Sequence, residues 1–437
     1  AYNTAVGFAS GSSVTTGVSN TLIGANAGDA LTDADYNVAV GVGSLGGDTQ
    51  GSKSTAIGYA ALFAQNFSSA ADSYNTAVGY NAGTAITDGQ SNTIVGSNAG
   101  DALTTGGNNV AIGAFALSGE DAHGGNIAIG RNALYAQDAG ANAYNVAIGY
   151  YAGSAVSTAI ESTFVGYLAG DAVTTSPGCT AIGSQALSEQ AGDYCTAVGR
   201  KALNGCTSNG DRNTAMGEVA LFSVGDGSKN VGIGNAAGYA ITTGGNNICL
   251  GVDAGRTGSP GGNITSGSNE IALGDENISS FSCQVSLTAT SDERDKTDFK
   301  NLDLGLDFVN ALKPVTYVWD KRANYIDKTD VTTYDEDGKI KHKGWDLTTD
   351  LDNITSDGSK KDDDLQVGFK AQDVIALEEA AGYKLSDKTN LTATVTKDGK
   401  QYGLSYERFV PMLVKAVQEL SAKNDALEAR IKKLEDG

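Results

Sequence analysis

The chain is poor in the residues that most often carry chemistry: its 437 residues include only 5 cysteines, 4 prolines, 2 histidines, 2 methionines and 2 tryptophans. The cysteines (Cys179, Cys195, Cys206, Cys249 and Cys283) are too sparse for a disulfide framework and lack zinc-finger spacing. Their odd number favours free thiols in a chain made in a reducing cytosol. Basic charge is also short, 30 Lys and Arg against 51 Asp and Glu, and a net charge of −21 excludes nucleic-acid binding through a basic surface. No run of 18 apolar residues exists, so no membrane insertion is expected. His123 stands in a GEDAHGG stretch far from the other histidine, and a solvent-exposed turn is its default reading. Neither a metal site nor a cofactor is expected. Fragments such as GVG at Gly41 and GIG at Gly232 precede no helix pattern and do not mark dinucleotide binding. The chain opens on Ala1 without a secretory segment and reads as the distal piece of something longer.

What is abundant is glycine, 58 residues of it, and its distribution divides the chain. Residues 1–290 hold 49 glycines, 21 acidic and 7 basic side chains, whereas residues 291–437 hold 9 glycines, 30 acidic and 23 basic ones. The division expected from this is a repetitive body at 1–276, a linker at 277–290 and an ordinary charged domain at 291–437.

The body is a repeat. A four-residue core ending in glycine (TAVG at Thr4, TLIG at Thr21, VAVG at Val38, TAIG at Thr55) recurs sixteen times, and ten of the fifteen spacings between its glycines are 17 residues. The residue before the glycine is aliphatic or Met in every copy, which reads as a buried strand position, with Ala as the small residue on the opposite face. Asn stands four residues before the glycine in eleven copies, where stacked side chains can hydrogen-bond from rung to rung. The glycine itself reads as a turn with positive φ. A coil this short buries no core alone, so stacking must do it. The expected architecture is mainly β: a parallel β-roll or solenoid, roughly 70–75 Å long at the usual strand spacing.

Above the short period lies a longer one. Four residues after each core glycine the chain carries Gly11 and Gly28, then Leu45 and Leu62, then Gly83 and Gly100, then Leu117 and Leu134. Insertions follow Leu62 and Leu134 and carry Phe63, Phe67, Tyr74, Tyr135 and Tyr144. They read as matching loops on one face and as candidate contact surfaces, with local aromatic packing as the alternative.

In the charged domain, Leu304–Leu312 suggests a short helix ending before Pro314, VTYVWD a strand, Asp337-Gly338 a hairpin turn, and DLQVGFKAQDVIALEEA a strand running into a helix. The last helix places Val410, Val417, Asn424 and Ile431 at heptad position a, and Leu413, Leu420, Leu427 and Leu434 at d. This is a pattern for helix association, and Val at a with Leu at d leans towards two strands. Ser291, followed by charged residues, reads on its own as a helix N-cap.

Two resemblances bear on function. The TAIG-plus-alanine unit resembles the head repeats of trimeric autotransporter adhesins and the repeats of marine phage tail fibres. That resemblance implies a trimer with small residues packed near the axis. In order, SDERDK, LDFVNALKPVTYVWD, QVGFKAQDV and LSYERFVPMLVKAVQELSAKNDALEARI resemble the intramolecular chaperone autoprotease domain that ends phage tail fibres and endosialidase tailspikes. It implies a homotrimer that folds the preceding fibre and then cuts itself after Ser291, at the Ser291–Asp292 bond. Ser291 and Lys296 are the implied catalytic dyad, acting once per chain as a serine endopeptidase. Asp295 stands where relatives often carry Leu, and residues 325–364 look like an insertion. A Ser hydroxyl does not readily attack its own carbonyl, so a neighbouring chain's Ser, a water, or an acyl shift at Thr290–Ser291 all remain open. The expected whole is a phage tail fibre made in the host cytoplasm and carried on the virion. Its expected partners are upstream tail proteins and a host cell-surface receptor. A cellular trimeric adhesin and a tailspike polysaccharide depolymerase are the alternatives.

Overall fold

The computed structural model describes residues 2–259, 261–284, 291–326, 330–334, 340–345, 351–396 and 398–436. They form two compact units, one of residues 1–256 with 264–274, the other of residues 257–263 with 275–437.

The first unit is a parallel β-solenoid. Sixteen three-residue strands, from Thr4–Val6 to Ile271–Leu273, stand side by side in one parallel sheet in chain order. Pairing is in register throughout: Thr4 faces Thr21, Thr21 faces Val38, and so on to Ile248 facing Ile271. The longer rungs keep the same register, as Thr55 with Thr76 and Ile127 with Val146 show. The core glycines make the corner after each strand. Gly24 has φ +135°, and a Cβ there would collide with the carbonyl oxygen of Gly41 on the next rung. Only glycine satisfies both conditions.

Which face points inward differs from the sequence expectation. The central strand residue is the buried one: Ala39, Ala56, Ala77, Ile94 and Phe164 are fully buried. The aliphatic residue before the glycine faces outward, with Ile23 and Ile182 40% exposed and Ile57 and Ile148 38% exposed. Strand alternation permits either assignment, and the coil's narrow interior decides it, because a column of alanines fits where a column of isoleucines does not. Small residues therefore fill the chain's own coil.

The Gly and Leu rungs differ in how they fill that interior. On Gly rungs the strand centre or the residue seven after the core glycine supplies bulk, as with Leu22 and Leu31, Ile94 and Leu103, or Phe164 and Val173, all buried. A Cβ at Gly170 would enter the Phe164 ring. On Leu rungs, Leu45, Leu62, Leu117 and Leu134 fill the space from left-handed backbone positions, φ 48–54°. Burial compensates a conformation that L-residues ordinarily avoid.

The asparagines run along the stack, bonded differently from an amide-to-amide ladder. Asn20 Oδ1 accepts from the Asn37 backbone N–H at 2.9 Å, and Asn20 Nδ2 donates to the Ala34 carbonyl at 2.7 Å. Cys179 and Cys195 stand in the same position, and their thiols donate to the Gly192 and Gly210 carbonyls at 3.4 and 3.1 Å. All five cysteines are free. Burial pushes the Cys179 thiol up to about 11 and the Cys249 thiol up to about 12, as expected of packed, unreactive thiols.

The two insertions are not equivalent. In the first, Ala71–Asp72 pairs in parallel with Gly51–Ser52. Lys53 Nζ lies 2.5 Å from Asp72 and 5.2 Å from the centre of the Tyr74 ring. Phe67 is buried, so it is a packing residue, while Phe63, Tyr74, Tyr135 and Tyr144 are exposed.

The second unit contains three α-helices among the described residues: α1 (Leu306–Ala311), α2 (Ala371–Ala380) and α3 (Phe409–Glu435). Val315–Tyr317 pairs antiparallel with Gln366–Gly368, Asp330–Tyr334 with Ile340–Trp345, and Ala393–Val395 with Tyr402–Leu404. The Asp337-Gly338 turn lies outside the described residues. Leu304, Phe308, Val374, Phe409 and Met412 form the core. Glu419 of α3 accepts the Leu306 N–H at 2.7 Å and so caps the start of α1. Glu378 is buried but answered by the Thr392 N–H and Oγ1, each at 2.6 Å. Phe409, Met412 and Ala416 put one face of α3 into this core, while Val410, Leu413, Val417, Leu420, Leu427, Ile431 and Leu434 are exposed. No helix among the described residues is long and apolar enough to cross a membrane.

Candidate functional site

The segment from Ser291 folds back on itself within six residues. Glu293–Asp295 makes a single 3-10 turn whose N-cap is Asp292. The Asp292 carboxylate accepts from the Arg294 N–H at 2.9 Å and pairs with the Arg294 guanidinium at 2.6 Å. Those bonds to Arg294 hold its carboxyl below the usual aspartate value. The capping role that Ser291 offers by residue type thus falls to Asp292, and the Ser291 hydroxyl is left for another partner.

That partner is Lys296. Its N–H closes the turn on the Glu293 carbonyl at 3.1 Å, and its backbone leaves in an extended conformation. The side chain then returns, placing Lys296 Nζ 2.5 Å from Ser291 Oγ. The two residues that the sequence resemblance pairs are therefore in hydrogen-bond contact within one chain. Both are exposed. Thr290, the other residue of the possible acyl-shift bond, lies outside the described residues.

A lysine beside a serine can act in two ways. As an ammonium it donates to the hydroxyl and holds it in place. As a neutral amine it accepts the hydroxyl or water proton as a base, a form that desolvation favours. A cleft of about 540 Å3 in the same unit, lined by residues including Trp319, Lys321, Arg322 and Tyr402, contains neither member of this pair.

Sequence reading missed a second cluster, in the solenoid. His123 is not a free turn residue: it is half-buried, with Nδ1 3.3 Å from Oε1 of the fully buried Glu120. Asp121 and Asp138 complete a group of four ligand-capable side chains. The signal available was Glu120, Asp121 and His123 in one short segment, with Asp138 about one rung later.

Comparison with known proteins gives one positive result. No curated protein and no solved structure matches the chain. Residues 291–383 match the family model described as chaperone of endosialidase, an autoproteolytic chaperone domain. The match begins at Ser291 and includes Lys296, α1 and α2, and ends before α3. The chain thus joins a β-solenoid of about 17-residue turns to a segment similar to that chaperone family.

Proposed function

We propose that this chain is the distal part of a phage tail fibre, a homotrimer whose terminal unit aligns three solenoids and then cuts itself off after Ser291. The observation that carries the reading is the Lys296–Ser291 contact of 2.5 Å at the first residue of the family match. In the reaction, the peptide bond between Ser291 and Asp292 is hydrolysed with consumption of one water. Ser291 gains a free carboxylate and Asp292 a free amine. Lys296, as a neutral amine, takes a proton from the Ser291 hydroxyl or from the attacking water. Both side chains are exposed in a single chain, so this reading places activation in the assembled trimer, where neighbouring chains cover the segment.

Two unpartnered apolar surfaces support a homotrimer. One is the row of outward-facing Val, Ile and Leu along the sixteen-stranded sheet; the other is the heptad face of α3. Contiguous exposed apolar surface of this extent marks an interface. A mature fibre would then meet a host cell-surface receptor through exposed aromatics. Tyr59 stacks on Tyr80 at 5.2 Å and Tyr150 on Tyr167 at 5.9 Å, and all four are substantially exposed. Flat rings with a polar tip suit a glycan.

The test is a denaturing gel of the expressed chain. Wild type should yield a fragment ending at Ser291 and another beginning at Asp292, as read by mass spectrometry. Ser291→Ala and Lys296→Ala should each leave one intact band. An intact wild-type trimer would remove cleavage from this reading while leaving the chaperone role, and a cleaved Ser291→Ala chain would remove the dyad.

A further inference from the structure

Seven residues after the core glycine, Leu rungs place polar side chains inside the coil, and two stretches related by 72 residues can be compared directly. In the first, Asp48 is fully buried and fully answered. Its Oδ1 accepts the Gly51 N–H at 2.9 Å, and its Oδ2 accepts Gln65 Nε2 at 2.6 Å. Gln65 Nε2 also reaches Ser54 Oγ at 2.8 Å.

The second stretch replaces Asp48 by Glu120, Ser54 by Asn126 and Gln65 by Gln137. Here Gln137 Nε2 turns to the Ser157 carbonyl at 3.2 Å. Glu120 Oε1 accepts the His123 N–H at 3.0 Å, but Glu120 Oε2 is buried and has no partner. Asn126 Nδ2 is left in the same state. A buried carboxylate with one oxygen unanswered is strongly unfavourable unless a cation meets it.

The surroundings offer a place for one. Glu120, Asp121, His123 and Asp138 each present a ligand atom, and these atoms lie within 4.8 Å of one another. An ion about 2.0–2.2 Å from each ligand sets opposite ligands up to about 4.4 Å apart, so the site needs to close by only tenths of an ångström. The residues at the matching positions of the first stretch are Asp48, Thr49, Gly51 and Asn66, a set with one carboxylate and no imidazole.

We propose that Glu120, Asp121 and His123, with Asp138 about one rung later, bind one divalent first-row transition-metal ion per chain. Imidazole with carboxylate oxygens suits ions such as Mn2+, Co2+ or Zn2+, and the absence of a thiolate disfavours Cu+. The ion ties the second insertion to the rung before it, the task that the Gly51–Ser52 and Ala71–Asp72 strand pair performs in the first.

The test is titration of the full-length chain with Co2+, followed by its visible absorption, with Zn2+ competition by calorimetry. The expected result is one Co2+ per chain, with nitrogen- and oxygen-type bands and no sulfur charge-transfer band from the cysteines. Glu120→Gln and His123→Ala should each weaken binding by at least about tenfold. Asp138→Asn, on an exposed side chain that the fold does not need, should weaken it as well, and Asp48→Asn should not. No Co2+ binding, a sulfur band, or affinity unchanged in both Glu120→Gln and Asp138→Asn would overturn the proposal.

Discussion

The solenoid and the terminal unit bury their apolar side chains by opposite means. In the solenoid one cluster runs from Leu22 to Ala272, built largely from short side chains, and each residue packs against its counterpart one rung away. In the terminal unit five buried residues, drawn from positions as distant as Leu304 and Met412, make a small core, and the heptad face of α3 stays exposed. The first unit closes its own interior, yet nothing in a regular stack says which rung of one copy belongs beside which rung of another. The second is irregular, so it has a single way to meet its copies, but one chain alone leaves it unfinished. A division of labour follows: repetition supplies length, and irregular structure supplies position.

The largest effect that would break this contrast is loss of the heptad face. Leu420→Glu combined with Leu427→Glu should abolish trimer formation by light scattering and send the solenoid into aggregates. A soluble chain with wild-type β circular dichroism would show that the solenoid registers itself. A smaller, local effect is expected from Asn92→Ala. It orphans the Gly106 carbonyl and the Asn109 N–H, which Asn92 now answers at 2.9 and 3.0 Å. At about 1–3 kcal/mol per buried group, the stack should lose roughly 2–6 kcal/mol locally. Hydrogen exchange should accelerate in the flanking rungs and leave the terminal unit unchanged.

The smallest effect is in pH dependence, where the units differ in sign. Glu419 has its carboxyl held low by the Leu306 N–H, so its contribution is present above the ordinary value of 4.5 and is lost as pH falls through the lowered folded value. Asp48 has its carboxyl raised by burial, so it opposes folding above that raised value and the opposition fades as pH falls towards 3.8. Glu419→Gln should therefore weaken the terminal unit at neutral pH and matter less in acid. For Asp48→Asn, the wild-type-minus-variant stability of the solenoid should shift in favour of wild type as pH falls. Both tryptophans, Trp319 and Trp345, lie in the terminal unit, so their fluorescence follows that unit, and far-UV circular dichroism follows mainly the solenoid. A shared sign would erase the distinction.

Much of this was legible in the residues. The sixteen strands, the corner glycines and the helices around Phe308, Val374 and Met412 follow from periodicity and punctuation alone. The facing of the strands did not, because Thr-Ala-Ile alternates equally well either way and only the coil's width chooses. Phe67 looked like a loop aromatic because nothing local says that the insertion folds back under it. The pairing of Ser291 with Lys296 came from resemblance, since a Ser before charged residues is ordinarily a cap. Glu120 and His123 were missed because their meaning lies in comparison with Asp48 and Gly51, 72 residues earlier.

The alternation of paired Gly and Leu rungs also bears on how such a chain can change length. Removing one rung would bring a Leu-type interior against a neighbour shaped for a Gly-type one, and a Cβ at a position such as Gly170 meets a ring rather than space. Removing or duplicating a whole four-rung block leaves every junction as it was. Unequal crossing-over between blocks is thus silent for packing, so the unit of inheritance here is the block of about 70 residues rather than the 17-residue turn.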